Sequence, residues 1–194
     1  KKGNKLNSQQ IKSTAARENS EKEDLANKET LQNKQKERSE NIMIVDLVRN
    51  DFSKIAQKNS VKVDELCAIY SFETVHQMIS TISCEVKENT SFTDIIRATF
   101  PMGSMTGAPK LNAMKYIDEL EDFSRGIYAG SIGYIEPNGD FDFNVIIRSL
   151  VFNKEDKYLS CAVGGAITIL SEPEDEYAEC QTKIGKIINA FNES

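Results

Sequence analysis

The stretch ENIMIVDLVRND, residues 40–51, carries a clear periodic signal in this chain of 194 residues. Apolar residues at positions 43, 44, 47 and 48 lie on one face of a helix, because a helix turns once in about 3.6 residues. The segment from about Glu29 onward reads as a solvated helix that runs into this stretch. We therefore predict a helix with one apolar face that ends near Asp51.

Strand and helix patterns alternate after this helix. Thr74–Val86 is rich in β-branched residues and alternates between apolar and polar residues, which predicts a strand. Phe92–Phe100 predicts a short helix. Pro109 suits the first turn of a further helix, which carries Leu111, Met114, Ile117 and Leu120 on one face.

The last third of the chain predicts three strands, at 127–136, 141–152 and 157–169, with Asn138-Gly139 as a hairpin turn between the first two. Glu172-Pro173-Glu174 opens a final helix. Its apolar face consists of Tyr177, Cys180, Ile184, Ile187, Ile188 and Phe191. Consecutive strands of this kind pair antiparallel, so the predicted fold class is α+β.

The N-terminal region differs in composition from the rest. Residues 1–35 are rich in Lys, Glu, Asn, Ser and Gln and contain no aromatic residue. Such a stretch buries too little apolar surface to offset the entropy lost on ordering. We predict a polar flexible segment over 1–35, with a loop over its first ~20 residues, and a domain over 36–194.

Composition narrows the function classes. The formal net charge is −6 and the pI is near 5.0, so nucleic acid is not an expected partner. No apolar run approaches the about 20 residues of a membrane span, and no signal peptide pattern opens the chain. The four cysteines are widely spaced, which predicts reduced thiols in a cytoplasmic protein.

Two pairs of carboxylates stand out. Glu37 with Glu40, and Glu176 with Glu179, are each three residues apart on a predicted helix, so both carboxylates of a pair lie on one face. Oxygen ligands from two helices, with water and an anionic substrate, are what Mg²⁺ prefers. The alternative is a solvated helix face, which is the commoner role of glutamate.

Two glycine-containing segments are candidate anion sites. Gly103–Lys110 offers backbone N–H groups at a helix N-terminus, and its alternative role is a tight turn. Gly164-Gly165 follows a predicted strand and offers a similar cradle for a carboxylate, with a β-bulge as the alternative.

Four single residues have both a functional and a structural interpretation. His76, the one histidine, lies within a strand, where a histidine is more often structural. Arg148 interrupts the apolar run 145–147, and a buried arginine needs an anionic partner. Tyr128 is a core or a substrate residue, and Lys183 is four residues from Glu179, as in a surface ion pair.

The order of the segments resembles the chorismate-utilising enzymes, the family of anthranilate synthase component I, aminodeoxychorismate synthase component I, and isochorismate and salicylate synthases. The resemblance covers residues 36–191. The matching segments are Glu40–Asp51, Thr74–Gln77, Gly103–Lys110, Ala113-Met114, Ile117–Glu121, Arg125–Tyr134, Ile146–Arg148, Gly164–Ile167 and Glu176–Glu179.

This resemblance implies a fold of antiparallel sheets packed as a sandwich with helices outside. It implies that Glu37, Glu40, Glu176 and Glu179 hold Mg²⁺. It makes Tyr128 and Arg148 ligands of the enolpyruvyl carboxylate of chorismate, with the backbone of Gly164, Gly165 and Ala166 assisting. Lys183 would face the ring carboxylate, and His76 and Thr106 would lie near the ring, where His76 supports departure of the C4 hydroxyl.

The implied activity is amination of chorismate with ammonia from a separate glutaminase subunit. Ser104-Met105-Thr106 and Gly164–Thr168 look more like the aminodeoxychorismate branch, which serves p-aminobenzoate and folate synthesis. The alternatives are the anthranilate branch and a non-catalytic portion. The match is to the C-terminal part of the family. A PIKGT-type segment with a nucleophilic lysine is expected at or before the start of this chain, and that lysine would favour the first branch.

Overall fold

The structure is a computed structural model that describes residues 1–169 and 171–192, with the side chains of 186, 191 and 192 outside that description. Within this range the chain forms five α-helices and seven β-strands. It divides into two compact units, a first one of Lys1–Leu120 with Tyr134–Asp142 and a second one of Glu121–Gly133 with Phe143–Ser194. The mixture of helices and antiparallel sheets confirms the α+β class.

A three-stranded antiparallel sheet forms one layer of the first unit. Its strands are β1 (Lys5–Ala16), β2 (Lys62–Ser71) and β3 (Val75–Glu85), in the order β1-β3-β2. The central strand β3 is the most buried of the three, which agrees with the strand predicted there. Strand β2 was not predicted from the sequence.

The prediction of a flexible N-terminal segment is wrong. Strand β1 pairs with β3 along its length, from Lys5 opposite Glu85 to Ala16 opposite Val75. Helix α1 (Glu21–Asn33) follows directly. Strand β1 is an edge strand, and all its side chains except that of Leu6 are exposed or half-buried, which accounts for its polar composition. Backbone pairing with β3 keeps the strand ordered, and composition does not reveal such pairing.

Helix α2 (Gln35–Ile55) packs on this sheet with one buried face. The buried residues are Glu40, Asn41, Ile44, Val45, Val48, Asp51, Phe52 and Ile55, which recur at the three- and four-residue spacing of one helical face. Met43 and Leu47 are half-buried against the same core. The predicted helix is therefore confirmed.

Two further helices complete the first unit. Helix α3 (Phe92–Thr99) begins with a capping box, in which Ser91 and Asp94 satisfy each other's backbone N–H groups. A single 3-10 turn, Gly103–Met105, leads to α4 (Lys110–Leu120). The helix is confirmed, but no residue of α4 is fully buried. On its predicted apolar face Leu111 and Leu120 are exposed, and Met114 and Ile117 are half-buried.

The strands after α4 are shorter than predicted. Strands β4 (Ser131–Ile135) and β5 (Phe141–Val145) form the expected hairpin around Asn138-Gly139. Strands β6 (Val151–Asn153) and β7 (Tyr158–Ser160) form a second pair. Ala129 and Arg148 have positive φ angles of +63° and +50°, which extended strands do not accommodate, so the strand predictions over 127–130 and 146–150 are wrong.

Helix α5 (Pro173–Asn192) confirms the final predicted helix. Tyr177 and Ile188 of its predicted apolar face are exposed, and the predicted role of Phe191 lies outside the described side chains. No helix of the described residues combines the length and the apolar character needed to cross a membrane.

Candidate functional site

The first pair of glutamates lies on the first two turns of α2. Glu40 is 8% exposed, and its Oε2 lies 3.1 Å from Lys12 Nζ in an ion pair. Glu37 accepts hydrogen bonds from the Ser13 hydroxyl and from Lys34 Nζ, the latter at 3.0 Å. Burial raises the pKa of Glu37, but the hydrogen bonds from Ser13 and Lys34 outweigh burial and leave it below its ordinary value.

A bulge in β1 delivers Lys12 and Ser13 to these carboxylates. The register of β1 with β3 shifts between Lys12 and Thr14, and Ser13, the extra residue, has a positive φ of +60°. Extra residues of this kind bend a strand and change where its side chains point. The bulge therefore places an ammonium and a hydroxyl beside Glu40 and Glu37.

Lys12 is a functional candidate that the sequence analysis missed. Ile11-Lys12-Ser13-Thr14 has the Ile-Lys-x-Thr order of the PIKGT-type segment, with Ser13 where that segment has glycine. The positive φ at Ser13 explains why glycine suits the position. Residues 11–14 are therefore a candidate for this segment, which was expected at or before the start of the chain. A search that allowed serine at the glycine position would have found it.

His76 lies in a buried position on β3. Its Nδ1 is 2.8 Å from Ser71 Oγ, its Nε2 is 3.0 Å from Asp24 Oδ1 of α1, and the residue is 1% exposed. Asp24 also accepts two hydrogen bonds from Arg17. Both ring nitrogens are engaged inside the protein, which fits the structural alternative, and the catalytic role of His76 stays a prediction.

The glycine-containing loop is held against α2. A Cβ on Gly103 would lie 2.9 Å from the Cβ of Leu47, so only glycine fits this close approach. The Thr106 hydroxyl donates to the Met102 carbonyl at 3.1 Å, and its N–H donates to the Gly103 carbonyl. These bonds close a tight turn and place Thr106, half-buried, beside the start of α4.

The second pair of glutamates lies in the second unit, at the start of α5. Glu176 is 5% exposed and accepts a hydrogen bond from Ser171 Oγ at 2.6 Å. Glu179 pairs with Lys183 at 2.6 Å, and Lys183 Nζ also donates to the Gly164 carbonyl at 2.9 Å. A Cβ on Gly165 would lie 3.1 Å from Glu176 Oε2. Glu176 and Lys183 therefore lie against the Gly164-Gly165 backbone, and Glu179 lies against Lys183.

Tyr128 approaches the same glycines. A Cβ on Gly164 would lie 3.0 Å from the Tyr128 hydroxyl, so glycine lets the phenol come close to the backbone. Burial raises the pKa of Tyr128, which keeps the hydroxyl protonated and able to donate a hydrogen bond. The neighbouring Ala166 offers its carbonyl to Ser171 Oγ at 3.4 Å.

Arg148 is exposed, which corrects the expectation of a buried arginine. It follows β5 with a positive φ of +50°. Within residues 1–169 and 171–192 its guanidinium makes no hydrogen bond or ion pair. The guanidinium of an arginine without a protein partner can bind a carboxylate through two parallel hydrogen bonds.

The donor chemistry of both glutamate pairs fits Mg²⁺. Each unit supplies two carboxylates three residues apart. Glu37 and Glu40 are paired with the ammonium groups of Lys34 and Lys12, and Glu179 is paired with that of Lys183. The described part of the chain holds no group of three or more His, Cys, Asp or Glu side chains arranged for a metal. Two carboxylates leave the remaining positions of a six-coordinate Mg²⁺ to further oxygens, water and substrate, as Mg²⁺ commonly binds.

Comparison with known proteins gives a consistent result. The model of the family described as chorismate binding enzyme matches residues 1–189. Among similar proteins, "Aminodeoxychorismate synthase, chloroplastic" from Arabidopsis thaliana is 44% identical over 97% of this chain and 20% of its own length. "Aminodeoxychorismate synthase component 1" from Escherichia coli is 42% identical over 92% of this chain and 39% of its own length.

Solved structures share the fold. Anthranilate synthase component I from Streptococcus pneumoniae superposes with a TM-score of 0.79 at 32% identity, over 94% of this chain and 39% of that one. A 2,3-dihydroxybenzoate-specific isochorismate synthase from Bacillus anthracis superposes with a TM-score of 0.82 at 24% identity, over 99% of this chain and 50% of that one. The chain thus spans half or less of the length of these relatives.

Proposed function

This chain belongs to the chorismate-binding enzyme family, and on that premise we propose that it is the chorismate-binding part of an aminodeoxychorismate synthase. The reaction joins ammonia to chorismate at C4 with loss of the C4 hydroxyl and gives 4-amino-4-deoxychorismate, the precursor of p-aminobenzoate and folate. The names of relatives at 40–44% identity support this branch.

The observation that carries the proposal is the position of Lys12. A lysine in the Ile-Lys-x-Thr segment is the feature expected of the aminodeoxychorismate branch, and here it lies 3.1 Å from Glu40. We assign Lys12 as the nucleophile and Glu40 as the carboxylate that holds its amino group in position.

Chorismate is a dianion, and the second unit offers separate groups for its carboxylates. Arg148 and Tyr128 are proposed to bind the enolpyruvyl carboxylate, because one is a guanidinium with no partner among the described residues and the other is a half-buried phenol. The backbone of Gly164, Gly165 and Ala166 would assist. Lys183, which donates to the Gly164 carbonyl, is proposed to face the ring carboxylate. Charged partners on both ends orient the substrate, and orientation accounts for much of the rate.

We propose that Glu37, Glu40, Glu176 and Glu179 hold Mg²⁺. When bound, the ion supplies positive charge that fixes and neutralises a substrate carboxylate. The four carboxylates are the chain's own contribution: each is held by a hydroxyl or an ammonium that keeps its oxygens in place.

His76 and Thr106 receive positioning roles in this proposal. The ring of His76 is closed off by Ser71 and Asp24, and the hydroxyl of Thr106 is bonded to the backbone of its own turn. They are proposed to support the site by ordering β3 and the loop before α4.

The ammonia is proposed to come from a glutaminase subunit, since three of the relatives are named component 1. We also propose a cytoplasmic location. The four cysteines Cys67, Cys84, Cys161 and Cys180 are free thiols, which suits a reducing compartment. Fluorescence of a tagged copy in the source cells tests the location.

Product identification tests the function. The purified protein is incubated with chorismate, Mg²⁺ and ammonium, and the products are separated by chromatography with mass detection. Aminodeoxychorismate is the expected product. The variant Lys12→Ala should lose turnover by a factor of about 10³ or more, as expected for removal of a nucleophile. Lys5→Ala, on the same strand, should retain full activity.

Other products have defined meanings. Anthranilate and pyruvate would move the protein to the anthranilate branch, which the 32% identical structure of anthranilate synthase component I keeps as the second candidate. Unchanged chorismate, with a known family member active in parallel, would favour the non-catalytic alternative. Full activity of Lys12→Ala would remove Lys12 from the site.

A further inference from the structure

The two glutamate pairs are held by the same kinds of groups, although they lie in different units. In each pair the first glutamate accepts a hydrogen bond from a serine hydroxyl, Ser13 for Glu37 and Ser171 for Glu176. In each pair the second glutamate is paired with a lysine ammonium. The serines belong to unrelated segments, a strand bulge and the loop before a helix, so the repetition does not come from a shared sequence motif.

We propose that Ser13 and Ser171 are positioning residues that fix the carboxylates of Glu37 and Glu176 for binding Mg²⁺. The inference rests on the proposed function, because it assigns those glutamates to the metal. It goes further in naming the two hydroxyls that determine how well the metal binds.

At Ser13 a side-chain hydrogen bond accompanies an unfavourable backbone conformation. The residue sits at a φ of +60°, where residues other than glycine, asparagine and aspartate are disfavoured. Glycine would adopt this conformation without strain, yet serine occupies it. What serine adds is a hydroxyl, and that hydroxyl donates to Glu37 Oε2. Lys34 takes the other oxygen, so both oxygens of this half-buried carboxylate have a donor.

At Ser171 the hydroxyl lies between a backbone donor and the carboxylate of Glu176. It accepts a hydrogen bond from the Thr168 N–H at 3.0 Å and donates to Glu176 Oε1 at 2.6 Å. The same hydroxyl is 3.4 Å from the Ala166 carbonyl, so its contact with the carboxylate is the shorter of these two contacts with acceptors. Glu176 is 5% exposed, and its Oε2 faces the Gly165 backbone. A buried carboxylate with one oxygen held keeps the other oriented.

The test measures Mg²⁺ binding by isothermal titration calorimetry, with the melting temperature recorded for each variant. The variants are Ser13→Gly, Ser13→Ala, Ser171→Ala and Ser171→Thr. The control is Ser53→Ala, which removes a hydroxyl from α2 that donates only to the Asn50 carbonyl. Loss of a hydrogen-bonding partner behind a metal ligand weakens metal binding by roughly 10–100-fold.

Both Ser13 variants and Ser171→Ala should therefore bind Mg²⁺ at least about tenfold more weakly than the unmodified protein. Ser171→Thr should restore the affinity, and Ser53→Ala should leave it unchanged. Ser13→Gly should melt no lower than Ser13→Ala, because glycine relieves the positive φ, which separates the metal effect from stability.

Three results overturn the inference. Unchanged Mg²⁺ affinity in Ser13→Ala and Ser171→Ala removes the role of the hydroxyls while leaving the metal site intact. Normal affinity in Ser13→Gly but not in Ser13→Ala assigns the effect to the backbone. Absence of Mg²⁺ binding by the unmodified protein, with a known family member binding in parallel, removes the metal from the proposed function and this inference with it.

Discussion

One extra residue in β1, Ser13, decides which groups meet the carboxylates of α2. Without the register shift between Lys12 and Thr14, the pairing of β1 with β3 would continue unbroken. A shift of one residue turns the following side chains to the opposite face of a sheet. The hydrogen bond of Ser13 to Glu37 thus depends on a local irregularity of a single strand, directly after Lys12, which pairs with Glu40.

Arg148 gives a prediction about substrate binding. Arg148→Ala should raise KM for chorismate by an amount equivalent to about 2–5 kcal/mol, because the substrate carboxylate loses its bidentate partner. The KM of Arg148→Lys should lie between that of Arg148→Ala and that of the unmodified protein, because lysine keeps the charge but not the planar fork. Steady-state kinetics measure both, with Arg97→Ala on α3 as a control for loss of an exposed arginine. A near-normal KM in Arg148→Ala would exclude Arg148 from the site.

Gly103 gives a prediction about stability. Gly103→Ala should lower the free energy of unfolding by about 1–3 kcal/mol, because the added methyl would lie 2.9 Å from the Cβ of Leu47 and the loop or α2 must shift. Urea unfolding at neutral pH measures the change.

The matched control for Gly103 is a glycine with open space around it. Gly185, within α5, has no heavy atom within 4 Å of an added Cβ. Gly185→Ala should raise the free energy of unfolding by about 0.5–1 kcal/mol, because alanine loses less backbone entropy in a helix. Equal effects of the two substitutions would contradict the steric argument at Gly103.

At the scale of the element, α1 is tied to the sheet by Asp24. This carboxylate accepts hydrogen bonds from Arg17 at the end of β1, from the Glu18 N–H and from His76 of β3. Arg17 in turn donates to the Phe72 carbonyl beyond β2. Asp24 thereby links α1 directly to β3 and to the residues after β1, and through Arg17 to the residue after β2. These contacts help to explain how a helix with one buried residue, Leu31, is held against the sheet.

The Asp24 contacts predict a dependence on pH. Hydrogen bonds from Arg17, then from the Glu18 N–H and His76, hold the pKa of Asp24 well below its usual range. A lowered folded-state pKa stabilises the fold above the unfolded value of about 3.9, and this stabilisation is lost as pH falls through the folded value. Asp24→Asn should thus be less stable than the unmodified protein at pH 7, with a smaller difference at pH 3.

Urea midpoints at the two pH values measure this difference. Asp64→Asn, in an exposed position of β2, is the control for removal of a carboxylate. A difference between Asp24→Asn and the unmodified protein that stays constant from pH 7 to pH 3 would mean that Asp24 does not carry the proposed charge-dependent contacts.

At the scale of the whole molecule, each unit carries its own set of proposed site residues. The first unit holds Lys12, Glu37 and Glu40, and the second holds Tyr128, Arg148, Lys183, Glu176 and Glu179. The proposed nucleophile thus lies in the first unit, and the proposed ligands of the substrate carboxylates lie in the second.

The nitrogen source gives a prediction for the molecule as a whole. Ammonium should support amination by the purified protein, whereas glutamine should not until a glutaminase subunit is added, because no cysteine–histidine pair is present for glutamine hydrolysis within the described residues. Aminodeoxychorismate formation with each nitrogen source measures this. Turnover with glutamine alone, in a preparation free of other proteins, would remove the need for a partner.

The sequence by itself determined the elements that bury an apolar face. Helix α2, strand β3 and helix α3 were predicted because their apolar residues recur at the spacing of a helix or a strand. The hairpin at Asn138-Gly139 followed from the backbone preferences of those two residues. The family followed from the order of long motifs, and the match to residues 1–189 confirms it.

Only the tertiary structure shows that the polar N-terminal segment forms an ordered strand, β1, and which of its side chains meet the glutamates of the proposed site. The order of β1 comes mainly from backbone hydrogen bonds to β3, which side-chain periodicity does not record. Its bulge exists only relative to the partner strand, so the meeting of Lys12 with Glu40, and of Ser13 with Glu37, has no local signal in the sequence. Residues 24 and 28 positions apart come together because the sheet and α2 pack against each other.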